Sequence, residues 1–163
     1  MIKNFIHRNI FVNYTRGLLR EIYYFFLSIG NIESRNVIIV FGLGRSGSSF
    51  FCDILSREKD AQNFNELFQF NYLNPINLFS NVLKSCRKDE VIIKLLAHQV
   101  LEKKVDLDSI ISYSQKKGLA LKFINLRREP FEQSLSLAYS LKTQNWHRKR
   151  TSKEFKNTKI PRD

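Results

Sequence analysis

Arg45, Ser46, Ser48 and Ser49 surround Gly47 in the run Gly42-Leu-Gly-Arg-Ser-Gly-Ser-Ser49, so one guanidinium and three hydroxyls are threaded through a glycine loop. Such a set suits an anion, and a phosphate in particular, because loop amides and a helix start both favour negative charge. Glu66 is an acid among Phe64, Leu67 and Phe68. A carboxylate in apolar surroundings suits a general base, the alternative being a surface acid flanked by core aromatics. Lys94 interrupts the apolar run Val91-Ile-Ile-Lys-Leu-Leu96. Lysine is rarely buried unless paired, so it is unusual there, and the commoner case is a strand-end lysine pointing to solvent. His98 is a candidate acceptor-side base, against the commoner case of a structural histidine. Arg127 and Arg128 close another apolar run, and Ser136 follows eight positions after Arg128 (136 − 128 = 8).

The elements that must position these groups are legible as a strand and helix alternation. Val37 to Phe41 are apolar and mostly β-branched, which predicts a strand buried on both faces. After the glycine turn, Ser48 to Leu55 have helical spacing with Phe51, Ile54 and Leu55 on one side. Asn74-Pro75 opens a helix running to about Arg87, with Ile76, Leu78, Phe79, Val82 and Leu83 as core. Val91 to Leu96 is a second buried strand and Leu119 to Leu126 a third. Between them, Asp106 to Lys117 is a helix with Asp106 or Asp108 near its start and Gly118 as its C-cap. Glu129-Pro130 starts a last helix, with Phe131, Leu135, Ala138 and Leu141 as its buried stripe.

Three patterns compete for the loop. Gly42, Gly44 and Gly47 satisfy G-x-G-x-x-G, which also wants a second strand ending in an acid about 20 residues on. Asp60 to Phe68 occupies that place and is too polar for a buried strand, so this reading is discounted. Gly42 to Gly47 also has the outer spacing of a P-loop, but Ser48 stands at the lysine position and the phosphate-reading cation of a kinase is gone. What remains is a phosphate loop whose cation comes earlier, at Arg45.

That third pattern resembles the 5′-phosphosulfate loop of sulfotransferases that use 3′-phosphoadenosine 5′-phosphosulfate (PAPS). Arg45-Ser-Gly-Ser-Ser-Phe-Phe-Cys52 is similar to the bacterial trehalose-sulfotransferase-like family, and Arg128-Glu-Pro130 followed by Ser136 resembles the 3′-phosphate element. Gln133-Ser-Leu-Ser-Leu-Ala-Tyr139 and Lys142-Thr-Gln-Asn-Trp-His147 continue the likeness in part. The resemblance covers residues 37–147 and implies an α/β fold, P-loop-like, three-layered α/β/α with a mostly parallel sheet. It implies in-line transfer of a sulfuryl group from PAPS to a carbohydrate or glycolipid hydroxyl. Arg45 would act on the leaving group and, with Ser46, Gly47, Ser48, Ser49 and Phe50, hold the 5′-phosphate. Arg128 and Ser136 would hold the 3′-phosphate, a doubly charged group that suits a guanidinium fork plus a hydroxyl. Glu66, 21 positions after Arg45, would take the acceptor proton, and Lys94 and His98 are candidates for the sulfate or acceptor side. No metal is implied. Similar enzymes run on beyond this point, whereas this chain ends in the polar, basic Arg148 to Asp163. That leaves two alternatives: a truncated, non-catalytic PAPS-binding protein, and a P-loop nucleotide kinase.

The chain has 163 residues and 43% hydrophobic content, enough for one core. The expected organisation is a basic N-terminal helix region over 1–35, a nucleotide-binding domain over 36–147 and a basic tail over 148–163. Formal net charge is +12. Lys142 to Asp163 carries eight Lys/Arg against two acids, half that excess, and reads as a solvated tail, so no nucleic-acid partner is expected. Cys52 and Cys86 make no disulfide framework, which predicts reduced thiols in a cytoplasmic setting. Phe11, Leu18, Leu19, Ile22, Tyr23, Phe26 and Ile29 recur at helical spacing up to Gly30-Asn31. That helix either packs on the domain or lies on an anionic membrane.

Overall fold

The computed structural model describes residues 2–28, 32, 35–102 and 105–143. The expected helix stop at Gly30-Asn31, the Gln144 to His147 stretch and the basic tail lie outside the described residues. Elements follow in the order α1 (Ile2–Leu27), β1 (Asn36–Gly42), α2 (Ser48–Glu58), β2 (Gln62–Glu66), α3 (Pro75–Ser85), β3 (Glu90–Leu96), α4 (Ala97–Leu101), α5 (Leu107–Lys116), β4 (Ala120–Leu126) and α6 (Pro130–Thr143). The chain divides into two units, Met1–Arg128 and Glu129–Asp163.

The four strands among the described residues are parallel, in the order β2-β3-β1-β4. β1 lies inside the sheet, which is why its side chains are apolar at successive positions and not alternately. Alternate residues feed two cores. Val37 and Ile39 of β1, with Val91, Ile93 and Leu95 of β3, face Leu78, Phe79 and Val82 of α3 and Ile110 of α5. Ile38, Val40 and Ile92 face the other way, onto Cys52, Phe51 and Leu55 of α2. The first unit is therefore a three-layer α/β/α arrangement. Helix starts follow the sequence signals: Pro75 is at the first turn of α3 with Asn74 Oδ1 accepting from Asn77 N at 3.0 Å, and Asp106 accepts from Asp108 N and Ser109 N at the start of α5. Gly118 follows α5 at φ 65°.

The stretch discounted as too polar is a strand. β2 runs through Gln62-Asn-Phe-Asn-Glu66 at the sheet edge, where only Phe64 must be buried and polar residues on the open side are tolerated. Its ladder with β3 is irregular between Asn63 and Glu66. There Asn65 adopts φ 46° and its N–H donates to Asn63 Oδ1 at 2.8 Å, replacing a strand hydrogen bond with a side-chain one. The dinucleotide-fingerprint reading fails for a different reason from the one expected. Its acidic strand belongs beside β1, and here β3 stands between them.

α1 packs against α3, and by its polar side. Gly17 lies so close to the chain that an added Cβ would sit 1.9 Å from Asn71 O. Arg20 Nη1 donates to Glu66 O at 3.3 Å, Glu21 Oε1 accepts from Asn74 N at 2.9 Å, and the Tyr24 ring meets Phe64 edge-on at 6.0 Å. Of the two readings for the apolar stripe, packing on the domain is not what its described members show: Phe11, Leu18, Leu19, Ile22, Tyr23 and Phe26 are exposed.

In the second unit, α6 begins at Pro130 with Glu129 Oε2 accepting from Glu132 N at 2.9 Å. The expected stripe residues Phe131 and Leu135 are exposed, as is Leu141.

Candidate anion-binding site

Parallel register gathers the sequence candidates of the first unit at one edge of the sheet. Gly42 of β1 is the partner of Leu96 on one side and Leu126 on the other, so the glycine loop, α4 and Arg127-Arg128 all leave the sheet at its carboxyl edge. In open parallel sheets this is where ligands bind.

The loop itself is built on missing and inverted backbone. A Cβ on Gly42 would lie 2.9 Å from Ser46 Oγ and 3.0 Å from Leu126 O, so glycine is what lets the loop fold back over the end of β1. Arg45 is in the left-handed region at φ 66°, a conformation uncommon outside glycine, and Gly47 follows at φ 85° as the N-cap of α2. With glycine there, no side chain caps the first turn of α2, which leaves its first amides without a side-chain acceptor from the N-cap. Ser46 is buried and its Oγ has no hydrogen-bond partner among the described residues. Ser48 is also buried, Gly47 is exposed, and Phe50 is 72% exposed beside them.

Lys94 is the centre of the arrangement. Its side chain is only 6% exposed, yet Nζ is 2.7 Å from Ser49 Oγ and 2.5 Å from Glu66 Oε1. Glu66 and Lys94 are direct cross-strand partners, which is why one lysine reaches both the β2 carboxylate and the loop hydroxyl. Lys94 is thus a buried, paired cation and not a strand-end lysine pointing to solvent. Glu66 is corrected as well: Leu67 and Phe68 are fully buried, but the carboxylate itself rests on an ammonium group and not in apolar surroundings. On the other flank, Arg128 Nη1 donates to Arg45 O at 3.4 Å.

His98 lies on α4, directly after β3 at the same edge, and its side chain is exposed. Gln99, five positions after Lys94, is fully buried and its Oε1 accepts from Leu96 N at 3.0 Å, closing the turn out of β3. Ser136 stands two turns into α6 of the second unit, its carbonyl accepting from Ser140 Oγ at 2.9 Å. Cys52, on α2 against the same core, is wholly buried, and burial pushes its thiol up to about 11 against the opposing pull of Lys94. Arg20 is the residue that sequence reading missed near the site. Its hydrogen bond to Glu66 O joins α1 to the end of β2, and its one signal was a charge set among apolar neighbours.

The geometry thus defines an α/β protein with a glycine loop carrying Arg45 at the carboxyl edge of its sheet, and a buried Lys94 of β3 that joins the loop's Ser49 to the Glu66 carboxylate. Neither a family model, nor a curated protein, nor a solved structure matches the chain.

Proposed function

We infer that the chain is a P-loop-like sulfotransferase that binds PAPS and transfers its sulfuryl group to a hydroxyl, in keeping with the family that its two phosphate motifs resemble. The carrying observation is Lys94: a buried ammonium held at 2.7 Å from Ser49 Oγ, supplying from β3 the cation that Ser48 denies to the loop. The loop fits the nucleotide's 5′ end. Ser46 Oγ is a buried hydroxyl awaiting a partner, the first turn of α2 has no side-chain cap, and Arg45 lies in the same turn. Arg128, tied to the Arg45 carbonyl, is assigned to the 3′-phosphate.

PAPS supplies a sulfur centre that accepts the acceptor oxygen as its bond to the bridging phosphate oxygen breaks, releasing 3′,5′-adenosine bisphosphate. On the protein side, Glu66 takes the proton that the acceptor hydroxyl loses. Lys94 keeps that carboxylate in place and, with Arg45, favours charge developing on the leaving oxygen. A carbohydrate or glycolipid hydroxyl is the acceptor class, and a cytoplasmic setting agrees with two buried free thiols.

Calorimetric titration with 3′,5′-adenosine bisphosphate, beside adenosine 5′-monophosphate, tests the reading. Preference for the bisphosphate that is lost in Arg128→Ala supports both phosphate assignments. Binding of ATP with Mg²⁺ in preference to either would favour the kinase alternative. Binding without turnover, unchanged by Glu66→Gln, would leave a non-catalytic PAPS binder.

A further inference from the structure

We propose that the outward face of α1 lies on an anionic lipid surface. A helix of a water-soluble body normally turns its apolar stripe inward and its charges outward; α1 does the reverse. Within Leu18 to Leu27 the only charged residues are Arg20 and Glu21, and both are turned to the body, one on Glu66 O and the other on Asn74 N. What remains outward is Leu18, Leu19, Ile22, Tyr23, Phe25 and Phe26, each at least 42% exposed. A continuous apolar face of this kind marks an interaction surface.

Charge selects the occupant. Residues 1–19 contain Lys3, Arg8 and Arg16 and no Asp or Glu, and Arg16 is exposed at the border of the apolar face. Basic residues flanking an apolar, Phe- and Tyr-rich helix face are the pattern that anionic headgroups recognise, the rings settling at the boundary between headgroup and acyl chain. A second copy is the poorer occupant, since two chains of net charge +12 repel. No helix among the described residues is long and apolar enough to cross a membrane, so the helix lies in the surface plane. The inference does not rest on the nucleotide reading, because the contact of α1 with a site residue, from Arg20 to the Glu66 carbonyl, is on its inward side.

The experiment is co-sedimentation of the whole chain with vesicles of phosphatidylcholine alone and of phosphatidylcholine with phosphatidylglycerol, at about 0.1 M and about 0.5 M salt. The expected result is binding to the anionic vesicles at low salt, weakened roughly ten-fold or more by high salt, by omission of phosphatidylglycerol, or by the double substitution Leu19→Glu/Phe26→Glu. That variant should keep the melting temperature and the adenosine bisphosphate affinity of the parent, since both positions are remote from the body contacts. No binding to either vesicle, or equal binding by the variant, overturns the proposal. So does a dimer, detected by sedimentation velocity, that the double substitution dissociates, for the face would then cover a second copy.

Discussion

Lys94 Nζ and Glu66 Oε1 are 2.5 Å apart across neighbouring strands, with the lysine side chain 6% and the glutamate side chain 25% exposed. The pair ties the edge strand β2 to β3 and, through Ser49, to the loop. Lys94→Met should therefore destabilise the protein by about 2–4 kcal/mol, mainly through the carboxylate left without its cation. Glu66→Gln keeps a hydrogen-bond acceptor and should lose less. Urea melts of Lys94→Met/Glu66→Leu give the check: the double variant should recover part of the single variant's loss. If it falls further instead, the two side chains act independently.

The three loop glycines should not behave alike. Gly42→Ala places a Cβ 2.9 Å from Ser46 Oγ and 3.0 Å from a backbone oxygen, and is expected to cost about 1–3 kcal/mol and to displace the loop. Gly44 has open space around it and no left-handed backbone, so Gly44→Ala should stay within about 0.5 kcal/mol. Gly47→Ala meets no atom but is strained by φ 85°, and should fall between them. Thermal melts of the three variants will rank them.

Cys52 predicts an alkaline weakness. Its folded thiol is raised from 9.0 to about 11, chiefly by burial, with Lys94 opposing and Asp53 adding to the rise. Below pH 9 the group is neutral in both states and contributes nothing to the pH slope. Between 9 and about 11 the unfolded chain releases the proton while the folded chain keeps it, so stability falls across that window by something on the order of 2 kcal/mol. Other groups titrate there too, and the difference from Cys52→Ala isolates the thiol: the variant's melting temperature should decline less steeply above pH 9.

Gly17 tests how α1 is held. Alanine is the better helix former by roughly 1 kcal/mol, yet a Cβ here would lie 1.9 Å from Asn71 O, which is backbone and has little freedom to retreat. The clash should win. Gly17→Ala is expected to unseat α1, read as its release in limited proteolysis with the sheet core still intact.

Most of the fold could be read from the chain because its strands are interior and its caps are strong. Val37-Ile-Ile-Val-Phe41 and Val91-Ile-Ile-Lys-Leu-Leu96 need no alternation when both faces are covered, and Asn74-Pro75 and Asp106 declare their helices through capping chemistry. β2 was illegible since an edge strand with one buried residue has no apolar period to detect. Lys94 was conspicuous as a charge in an apolar run, but its partners could not be read, because Ser49 and Glu66 are 45 and 28 positions away (94 − 49 and 94 − 66). α1 left two readings open. Its apolar spacing was real, and only the body's own contacts reveal that the other side faces inward.

The sheet order also bears on how the protein is made. β1 takes its first partner from residues 90–96 and its second from residues 120–126, the register joining Asn36 to Ala120 across 84 positions (120 − 36). At the roughly 5–20 residues per second of synthesis, its second edge stays unmatched for something like 4–17 seconds after the strand is complete. Throughout that interval the apolar, mostly β-branched Val37 to Phe41 keeps open amides along at least that one edge, the kind of edge that seeks the wrong partner. A ribosome-bound chain halted before β4 should therefore engage chaperones strongly, and should release them only as Ala120 to Leu126 emerges to complete the sheet.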